Sequence, residues 1–170
     1  IGVINTDDET SLGLRFGFMR FTNCSSSSGD GSNYSSGCNQ LINPLDTNYS
    51  TIWTSVNSQT ANQGTHLAAA LNEARLYLNY HKSQDNAAEC RQKFVILVTD
   101  GADTLACSGT GSETQSDQYK RRRETVAKAK ALADAGYKVF VVGFGGDMPH
   151  WLRNTLNWAA FYGKTKSSAT

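Results

Sequence analysis

The chain has 170 residues, 39% of them hydrophobic, and a formal net charge of +1 at pH 7. This length fits one domain with an ordinary core, and the small charge gives no general attraction to nucleic acid or to acidic surfaces. No apolar run approaches the ~18 residues of a membrane helix, which argues against direct membrane insertion.

The first predicted strand is LRFGFMRFT, over residues 14–22, with apolar side chains on most of both faces. The Ser- and Gly-rich stretch 23–38 follows, and its small polar residues cannot form a core. Cys24 and Cys38 bound this stretch, which suggests a hairpin-like insertion closed by a disulfide worth about 3 kcal/mol in the chain-entropy model. Residues 39–45, which contain a proline, would return as an edge strand.

The four cysteines show no C-x-x-C pair, so a zinc ribbon or a thioredoxin-type motif is not expected. An even count in a chain rich in Ser, Asn and Gly favours disulfides and an oxidising, extracytoplasmic compartment. Cys90 and Cys107 pair by elimination, but they lie at opposite ends of a strand about 20 Å long. A partner in a preceding part of the protein therefore remains an alternative for either one.

The middle of the chain predicts two helices and a buried strand. Residues 47–58 are a weak helix candidate, whereas 63–82 carry apolar residues at helical spacing, with Thr65 where an N-cap belongs. The strand 93–99 follows, and its run of five apolar residues predicts burial on both faces.

The last part of the chain repeats this alternation. A helix is predicted over 116–137 and ends at Gly136. Its expected buried stripe consists of Tyr119, Val126, Ala129 and Ala133. The apolar strand 138–145 follows, and a last helix starts near Pro149 and ends at Gly163. Such alternation predicts an α/β fold with a doubly wound, mostly parallel sheet and helices on both faces.

In doubly wound sheets, ligands bind beyond the carboxyl ends of the strands. Asp100 follows the strand 93–99 directly, and Thr65 begins a helix at the same edge. Taken singly, Asp100-Gly101 is typical of a turn and Thr65 of a helix cap. Together, a carboxylate and a hydroxyl are the hard oxygen donors that Mg²⁺, Mn²⁺ or Ca²⁺ prefer, so we predict a divalent-metal site at Thr65 and Asp100.

Three other signals favour ordinary structural roles. Residues 120–123, Lys-Arg-Arg-Arg, lie opposite the apolar stripe of their helix and are expected to be a solvated face rather than a nucleic-acid patch. GFGGD, residues 143–147, lacks the G-x-G-x-x-G spacing of a phosphate loop and is expected to be a strand–helix turn. His66 could approach the site, but no histidine has a Ser or Cys nucleophile at motif spacing, and no catalytic residue is predicted.

These residues resemble the von Willebrand factor A-type domain. Thr99-Asp100-Gly101 after a strand and Gly64-Thr65 at a helix start are similar to two parts of that family's metal-ion-dependent adhesion site. FGFMRFT and VFVVGFG are similar to its second and fifth strands. The resemblance implies a non-enzymatic adhesion module whose metal keeps one coordination position open for an acidic residue of a partner.

A narrower resemblance concerns RFGFMRF, the cysteine-bounded hairpin, CRQKFVILVTDGADT and LRNTLNWAAFYGKT. These segments are similar to the A-type domain of PilY-type proteins, which are adhesins of type IV pilus tips. The resemblance implies an extracellular, pilus-associated location at the cell surface. It also implies protein partners, namely pilus subunits and a surface or host receptor.

The chain departs from the family in one respect, because no Asp-x-Ser-x-Ser motif stands in it. The nearest approximation, residues 7–11, has the wrong spacing. The chain also starts at Ile1 without a leader. We therefore expect residues 1–170 to be a single but partial domain that lacks its first, central strand and the helix after it. Metal binding by this segment alone would be weak, since Thr65 and Asp100 are two donors and Mg²⁺ takes six.

Two other functions remain open at this point. One is an α/β enzyme, dependent on a metal or a nucleotide, that uses Asp100 as its catalytic carboxylate and GFGGD as its phosphate loop. The other is a structural filament subunit whose metal site has decayed.

Overall fold

The computed structural model describes residues 13–21, 41–60, 64–103 and 115–168. For residues 115–117 it describes only the helical backbone. The strands are β1 (Phe18–Met19), β2 (Leu41–Asn43), β3 (Phe94–Thr99) and β4 (Lys138–Gly143). The helices are α1 (Tyr49–Asn57), α2 (Leu67–Gln84), α3 (Gln115–Asp134) and α4 (His150–Tyr162). A short 3-10 helix, Ala88–Cys90, precedes β3. None of the described helices combines the length and the hydropathy needed to cross a membrane.

β3 and β4 form a parallel pair, as the alternation of strands and helices predicts. The register runs from Phe94 opposite Lys138 to Thr99 opposite Gly143. A further hydrogen bond from the Phe144 N–H to the Thr99 carbonyl, at 3.1 Å, continues the ladder past both strand ends. This bond ties the turn after β4 to the end of β3.

The long first strand predicted over 14–22 is wrong in extent. Only Phe18–Met19 are in strand conformation, antiparallel to β2 in a separate two-stranded sheet. The register shifts between these two residues, which interrupts the ladder. This small sheet contacts α2, because the Leu41 N–H in β2 donates a hydrogen bond to the Glu73 carboxylate at 3.4 Å. Just after β2, the Leu45 N–H donates to the Tyr77 hydroxyl at 2.7 Å.

The core lies between α2, α3, α4 and one face of the β3–β4 sheet. Its buried side chains come from all three helices, both strands and the turn between α3 and β4: Leu67, Leu71, Leu78, Leu97, Ala129, Leu132, Tyr137, Val139, Leu152, Leu156 and Ala159. Val95 and Val141 pack against them from the same face of the sheet. All three helices therefore cover a single face.

The other face of the same two strands is exposed, which corrects the prediction that 93–99 is buried on both faces. Exposure alternates along β3, where every second side chain, starting with Phe94, points away from the core. The doubly wound arrangement with helices on both faces is therefore not confirmed in the described part of the chain. The reason is geometric, because a strand buries only the side chains that a helix meets, whatever their hydropathy.

Specific hydrogen bonds define the start of α1 and the end of α3, and of these only the glycine that ends α3 is predicted from the sequence. α1 starts after Asn48, whose side chain accepts a hydrogen bond from the Thr51 N–H at 2.8 Å. α3 is followed by Gly136, whose φ of 92° is left-handed. The N–H of Tyr137 then reaches the carbonyl of Leu132 at 3.0 Å, the bond that closes a glycine-terminated helix.

Two predictions for α3 are wrong. Tyr119 is exposed rather than part of the buried stripe, and Arg121 is buried rather than solvated. The guanidinium of Arg122 lies 4.0 Å from the ring centroid of Trp151 on α4. Because long basic side chains bury their stems against neighbouring helices, part of the segment 120–123 packs into the α3–α4 interface.

The structure tests only part of the predictions for the four cysteines. Cys24, Cys38 and Cys107 lie outside the described residues, and so does the predicted Cys24–Cys38 bridge. Cys90 is an exposed free thiol. No disulfide is therefore present in the described part of the chain.

Candidate functional site

The end of β3 forms a tight turn that exposes one carboxylate. The Thr99 side chain is 2% exposed, and its hydroxyl lies 3.2 Å from the Gly101 N–H and 3.0 Å from the Gly101 carbonyl. These two contacts hold the backbone on either side of Asp100, while the Asp100 side chain itself is exposed. A threonine at this position therefore presents the next carboxylate to solvent at the sheet edge.

The structure brings Thr65 to the same turn. A Cβ placed on Gly101 would lie 3.9 Å from the Thr65 hydroxyl oxygen, so the two residues are in van der Waals reach. Thr65 is half-buried, and it lies just before α2. The carboxyl edge of β3 and the start of α2 are thus adjacent, and the predicted pair of oxygen donors shares one edge.

Thr65 is not the N-cap of α2, which corrects its predicted structural role. The helix begins at Leu67, and its cap residue, His66, makes no side-chain capping bond. His66 is buried next to Thr65.

The residue that caps α2 comes from a different part of the chain. The Asp103 carboxylate accepts a hydrogen bond from the Ala68 N–H at 2.7 Å and another from the Thr125 hydroxyl at 3.2 Å. Asp103 is buried, and it joins α2, α3 and the turn after β3. A carboxylate is well placed there, because the free N–H groups of a helix start carry partial positive charge.

Sequence reasoning missed Asp103. The sequence shows only that an aspartate follows Asp100 by three positions in a polar segment. Solvated loops commonly have such a pattern, so it does not indicate a buried carboxylate. Its partners, Ala68 and Thr125, are separated from it by 35 and 22 positions. Only the packing of α2 and α3 on one face of the sheet identifies it.

The turn after β4 lies at the same edge. A Cβ on Gly143 would come within 2.9 Å of the Leu156 Cδ1, so glycine permits the close approach of β4 and α4. GFGGD forms the connection between β4 and α4, as predicted, with Gly145 at a φ of 118°. Asp147 in this connection is exposed.

The donors at this edge fit part of a metal site. Asp100 and Thr65 offer a carboxylate and a hydroxyl, the oxygen donors that Mg²⁺ and Ca²⁺ use. The described residues contain no group of three or more His, Cys, Asp or Glu side chains that could hold a metal ion. A metal at this edge would therefore need most of its ligands from water or from residues beyond those described.

A groove of about 430 Å³ lies at the other end of β3, lined in part by Arg15, Asp46, His81, Asp85 and Arg91. The charges in it are paired, with Arg15 2.9 Å from Asp46 and Arg91 2.5 Å from Asp85. Ion pairs therefore line this groove, and they connect the end of α2 to the segments that contain Arg15, Asp46 and Arg91.

Asp85 in this groove is held as a carboxylate. Burial acts to raise its pKa, but the hydrogen bond from the Ala87 N–H, the bond from Arg91 and the charges of Arg91 and Lys93 together lower the pKa below the ordinary 3.8. Near the amino end of β3, the charged carboxylate of Asp85 is thus paired with Arg91, whereas at the carboxyl end Asp100 is exposed.

Comparison with known proteins identifies one relationship. The family model of the von Willebrand factor type A domain matches residues 32–163, well over half of the chain. No curated protein matches the chain, and no solved structure matches it.

Proposed function

The chain belongs to the von Willebrand factor type A domain family, and on this premise we propose that it is a non-enzymatic interaction module with a divalent-metal site at Thr65 and Asp100. Domains of this family generally mediate adhesion or protein interaction, and they often bind a divalent metal. The observation that carries the proposal is the placement of Thr65 beside the turn that exposes Asp100.

Within this site, Asp100 would supply a carboxylate oxygen and Thr65 a hydroxyl oxygen to Mg²⁺, Mn²⁺ or Ca²⁺. When bound, the metal supplies a positive charge that an acidic side chain of a partner can approach. The residues of the chain itself hold the two donors in place: Thr99 through its contacts with Gly101, and Asp103 through its bond to the start of α2. Support by neighbouring hydrogen bonds favours a precise arrangement of donors.

The finer assignment is to the A-type domain of a type IV pilus-tip adhesin at the cell surface. It rests on the resemblance of RFGFMRF, CRQKFVILVTDGADT and LRNTLNWAAFYGKT to PilY-type proteins. Pilus subunits and a surface or host receptor would then be the partners. The exposure of Asp100 supports a contact with a partner at an open surface.

Calorimetric titration of Mg²⁺, Mn²⁺ and Ca²⁺ into the chain tests the metal site. We expect weak binding, because Mg²⁺ takes six ligands and only two are identified here. Asp100→Ala should abolish the binding heat. Asp147→Ala is the matched control, because Asp147 is also an exposed aspartate in a turn at the carboxyl edge of the sheet.

The proposal is wrong if none of the three ions binds, or if Asp100→Ala binds them as the unmodified chain does. Equal losses in Asp100→Ala and Asp147→Ala would show a diffuse attraction of cations to this edge instead of a site.

A further inference from the structure

One side of α4 carries a stripe of exposed aromatic side chains with an amide among them. We call it the aromatic stripe and define it by four residues: Trp151, Asn154, Trp158 and Tyr162. Positions three or four apart lie on one side of a helix, so these residues follow one another along α4. The three rings are 41%, 42% and 38% exposed, in chain order, and Asn154 is exposed as well. Aromatic rings that stay open to solvent in this way are typical of binding surfaces.

The aromatic stripe is not part of the contact between α4 and the sheet. α4 packs on the sheet through a different side, which contributes Leu152, Leu156 and Ala159 to the core. The stripe is turned toward α3, because Trp151 meets Arg122 of that helix. It therefore belongs to the helical layer, on the opposite side of the sheet from the face that no described helix covers. A helix placed on that face would leave the stripe exposed.

Three rings at the end of α4 hold one another in place. Tyr162 stacks on Trp158, with the centroids 5.7 Å apart and the ring planes at 21°. Phe161 meets both rings edge-on, at 5.8 Å from Trp158 and 5.3 Å from Tyr162. Trp158 nevertheless remains exposed, so it presents a flat surface whose orientation is already fixed. A fixed ring loses little conformational entropy when a ligand stacks on it.

The other end of the stripe carries a cation that has no carboxylate partner in the described part of the chain. The Arg122 guanidinium lies 4.0 Å from the Trp151 ring centroid and 5.4 Å from that of Tyr119. Its side-chain hydrogen bond to the Gln118 amide oxygen is long, at 3.4 Å. Stacking on a ring leaves the N–H groups at the edge of a guanidinium available to a carboxylate. This end of the stripe is therefore suited to an acidic group.

From this arrangement we infer that the aromatic stripe binds an acidic oligosaccharide. One sugar ring would stack with its C–H face on Trp158, because the face of an aromatic ring is electron-rich and attracts C–H bonds. The carboxylate of a neighbouring sugar would pair with Arg122, and the Asn154 amide between them would bind hydroxyl groups. Trp151 and Trp158 are seven residues apart, or about 10 Å along α4, a distance that two linked sugar rings span.

Two other classes of ligand fit the stripe less well. A single-stranded nucleic acid also stacks on aromatic rings, but it requires a row of cations along its phosphates. In the described part of the chain, Arg122 is the one cation in contact with a ring of the stripe. An acidic peptide would pair with Arg122 too, but its aliphatic side chains offer no flat ring to Trp158. The combination of flat rings, an amide and a guanidinium therefore favours a sugar chain that carries carboxylates.

Titration of oligosaccharides into the chain, followed by calorimetry, tests the inference in the presence of a metal chelator. The chelator separates this site from the proposed metal site, which uses Thr65 and Asp100. Each acidic probe has a neutral counterpart: tetragalacturonate and its methyl ester, and sialyllactose and lactose. We expect a Kd on the order of 1 mM for an acidic probe, since an open surface site binds weakly. The neutral counterpart should bind at least ~5-fold more weakly, because it lacks the carboxylate that pairs with Arg122.

Two substitutions divide the site. Trp158→Ala should weaken binding of the acidic probe by at least ~10-fold, whereas Trp158→Phe, which keeps a ring, should retain most of it. Arg122→Gln should weaken binding of the acidic probe by roughly 5- to 10-fold and that of its neutral counterpart by less than ~2-fold, because only the charge is removed. Trp53→Ala and Arg153→Gln are the matched controls, because both side chains are exposed and lie outside the stripe. Melting curves check that each variant is folded.

The inference is wrong if neither acidic probe binds at about 10 mM. It is also wrong if Trp158→Ala binds the probes as the unmodified chain does, or if the neutral probes bind as tightly as the acidic ones. Equal losses in Trp53→Ala and Trp158→Ala would show nonspecific contact with tryptophan and would overturn it as well. Tighter binding of oligothymidylate than of either sugar would assign the stripe to nucleic acid instead.

Discussion

The two ends of β3 carry aspartates in opposite states. At the amino end, the Asp85 side chain is 6% exposed and paired with Arg91, with Lys93 3.9 Å away. At the carboxyl end, Asp100 is exposed and has no ion pair among the described residues. Satisfied charges hold elements together, whereas an exposed carboxylate at a strand end stays available to a ligand. The contrast separates a structural end of the strand from the end at which we propose the metal site.

Asp103 complicates this contrast, because it lies near the carboxyl end of β3 but is buried and hydrogen-bonded, as Asp85 is at the amino end. Its carboxylate is buried and accepts bonds from Ala68 and Thr125. The carboxyl end thus has one aspartate, Asp103, that stabilises the start of α2, and one, Asp100, that is exposed to solvent. Substitutions that separate these two roles test the contrast most directly.

The largest effect on stability is expected from Asp103→Ala. The substitution removes two hydrogen bonds to a charged group and leaves the Ala68 N–H unpaired at the start of α2, a loss of about 2–4 kcal/mol in the free energy of unfolding. Urea denaturation followed by circular dichroism measures it. Asp100→Ala is the control and should stay within about 0.5 kcal/mol of the unmodified chain. Equal stability of the two variants would contradict the division of roles.

A smaller effect is expected from Thr65 on metal binding. Thr65→Val keeps the shape and removes the hydroxyl, so the affinity for Mg²⁺ should fall by roughly 5- to 10-fold, equivalent to about 1–1.4 kcal/mol and within the net range of one hydrogen bond. Thr65→Ser keeps the hydroxyl and should stay within about twofold, by the same reasoning. Calorimetric titration compares the three proteins. If the valine and serine variants bind equally well, the Thr65 hydroxyl is not a ligand.

The smallest effect concerns the structural end of β3. The folded pKa of Asp85 lies below 3.8, so its pairing stabilises the fold above that pH and the stabilisation is lost as the pH falls through the folded pKa. Asp85→Asn should therefore be less stable than the unmodified chain at neutral pH. The difference should shrink in acid, as measured by urea denaturation at a series of pH values. A difference that is constant with pH would show that the charge of Asp85 does not contribute.

Much of the local structure follows from the sequence. The helices α1 to α4 and the strands β3 and β4 lie within a few residues of their predicted ranges, since their apolar spacing and ends are local features. Gly136 ends α3 as predicted, because only a residue that tolerates a left-handed φ can close the helix there. The approach of Thr65 to the turn after β3 was also predictable, from the rule that helix starts and strand ends share one edge.

The failures have a common cause. Phe94, Ile96 and Val98 are as apolar as any core residues, and their composition predicts burial, yet they are exposed because no helix of the described residues covers that face. For a similar reason, Arg121 is buried although it was expected to be exposed, and Tyr119 is exposed although it was expected to be buried. The contact of α3 with α4 decides which side of α3 is buried.

The sequence by itself determined the alternation of strands and helices, the parallel pairing of β3 and β4, and the position of Asp100 at a strand end. These depend on periodicity and turn chemistry within short segments. Only the tertiary structure decided that Asp103 caps α2, that Thr65 does not, and that no helix of the described residues covers one face of the sheet. Each of these depends on which distant elements pack together, and such contacts leave no periodic pattern in the chain.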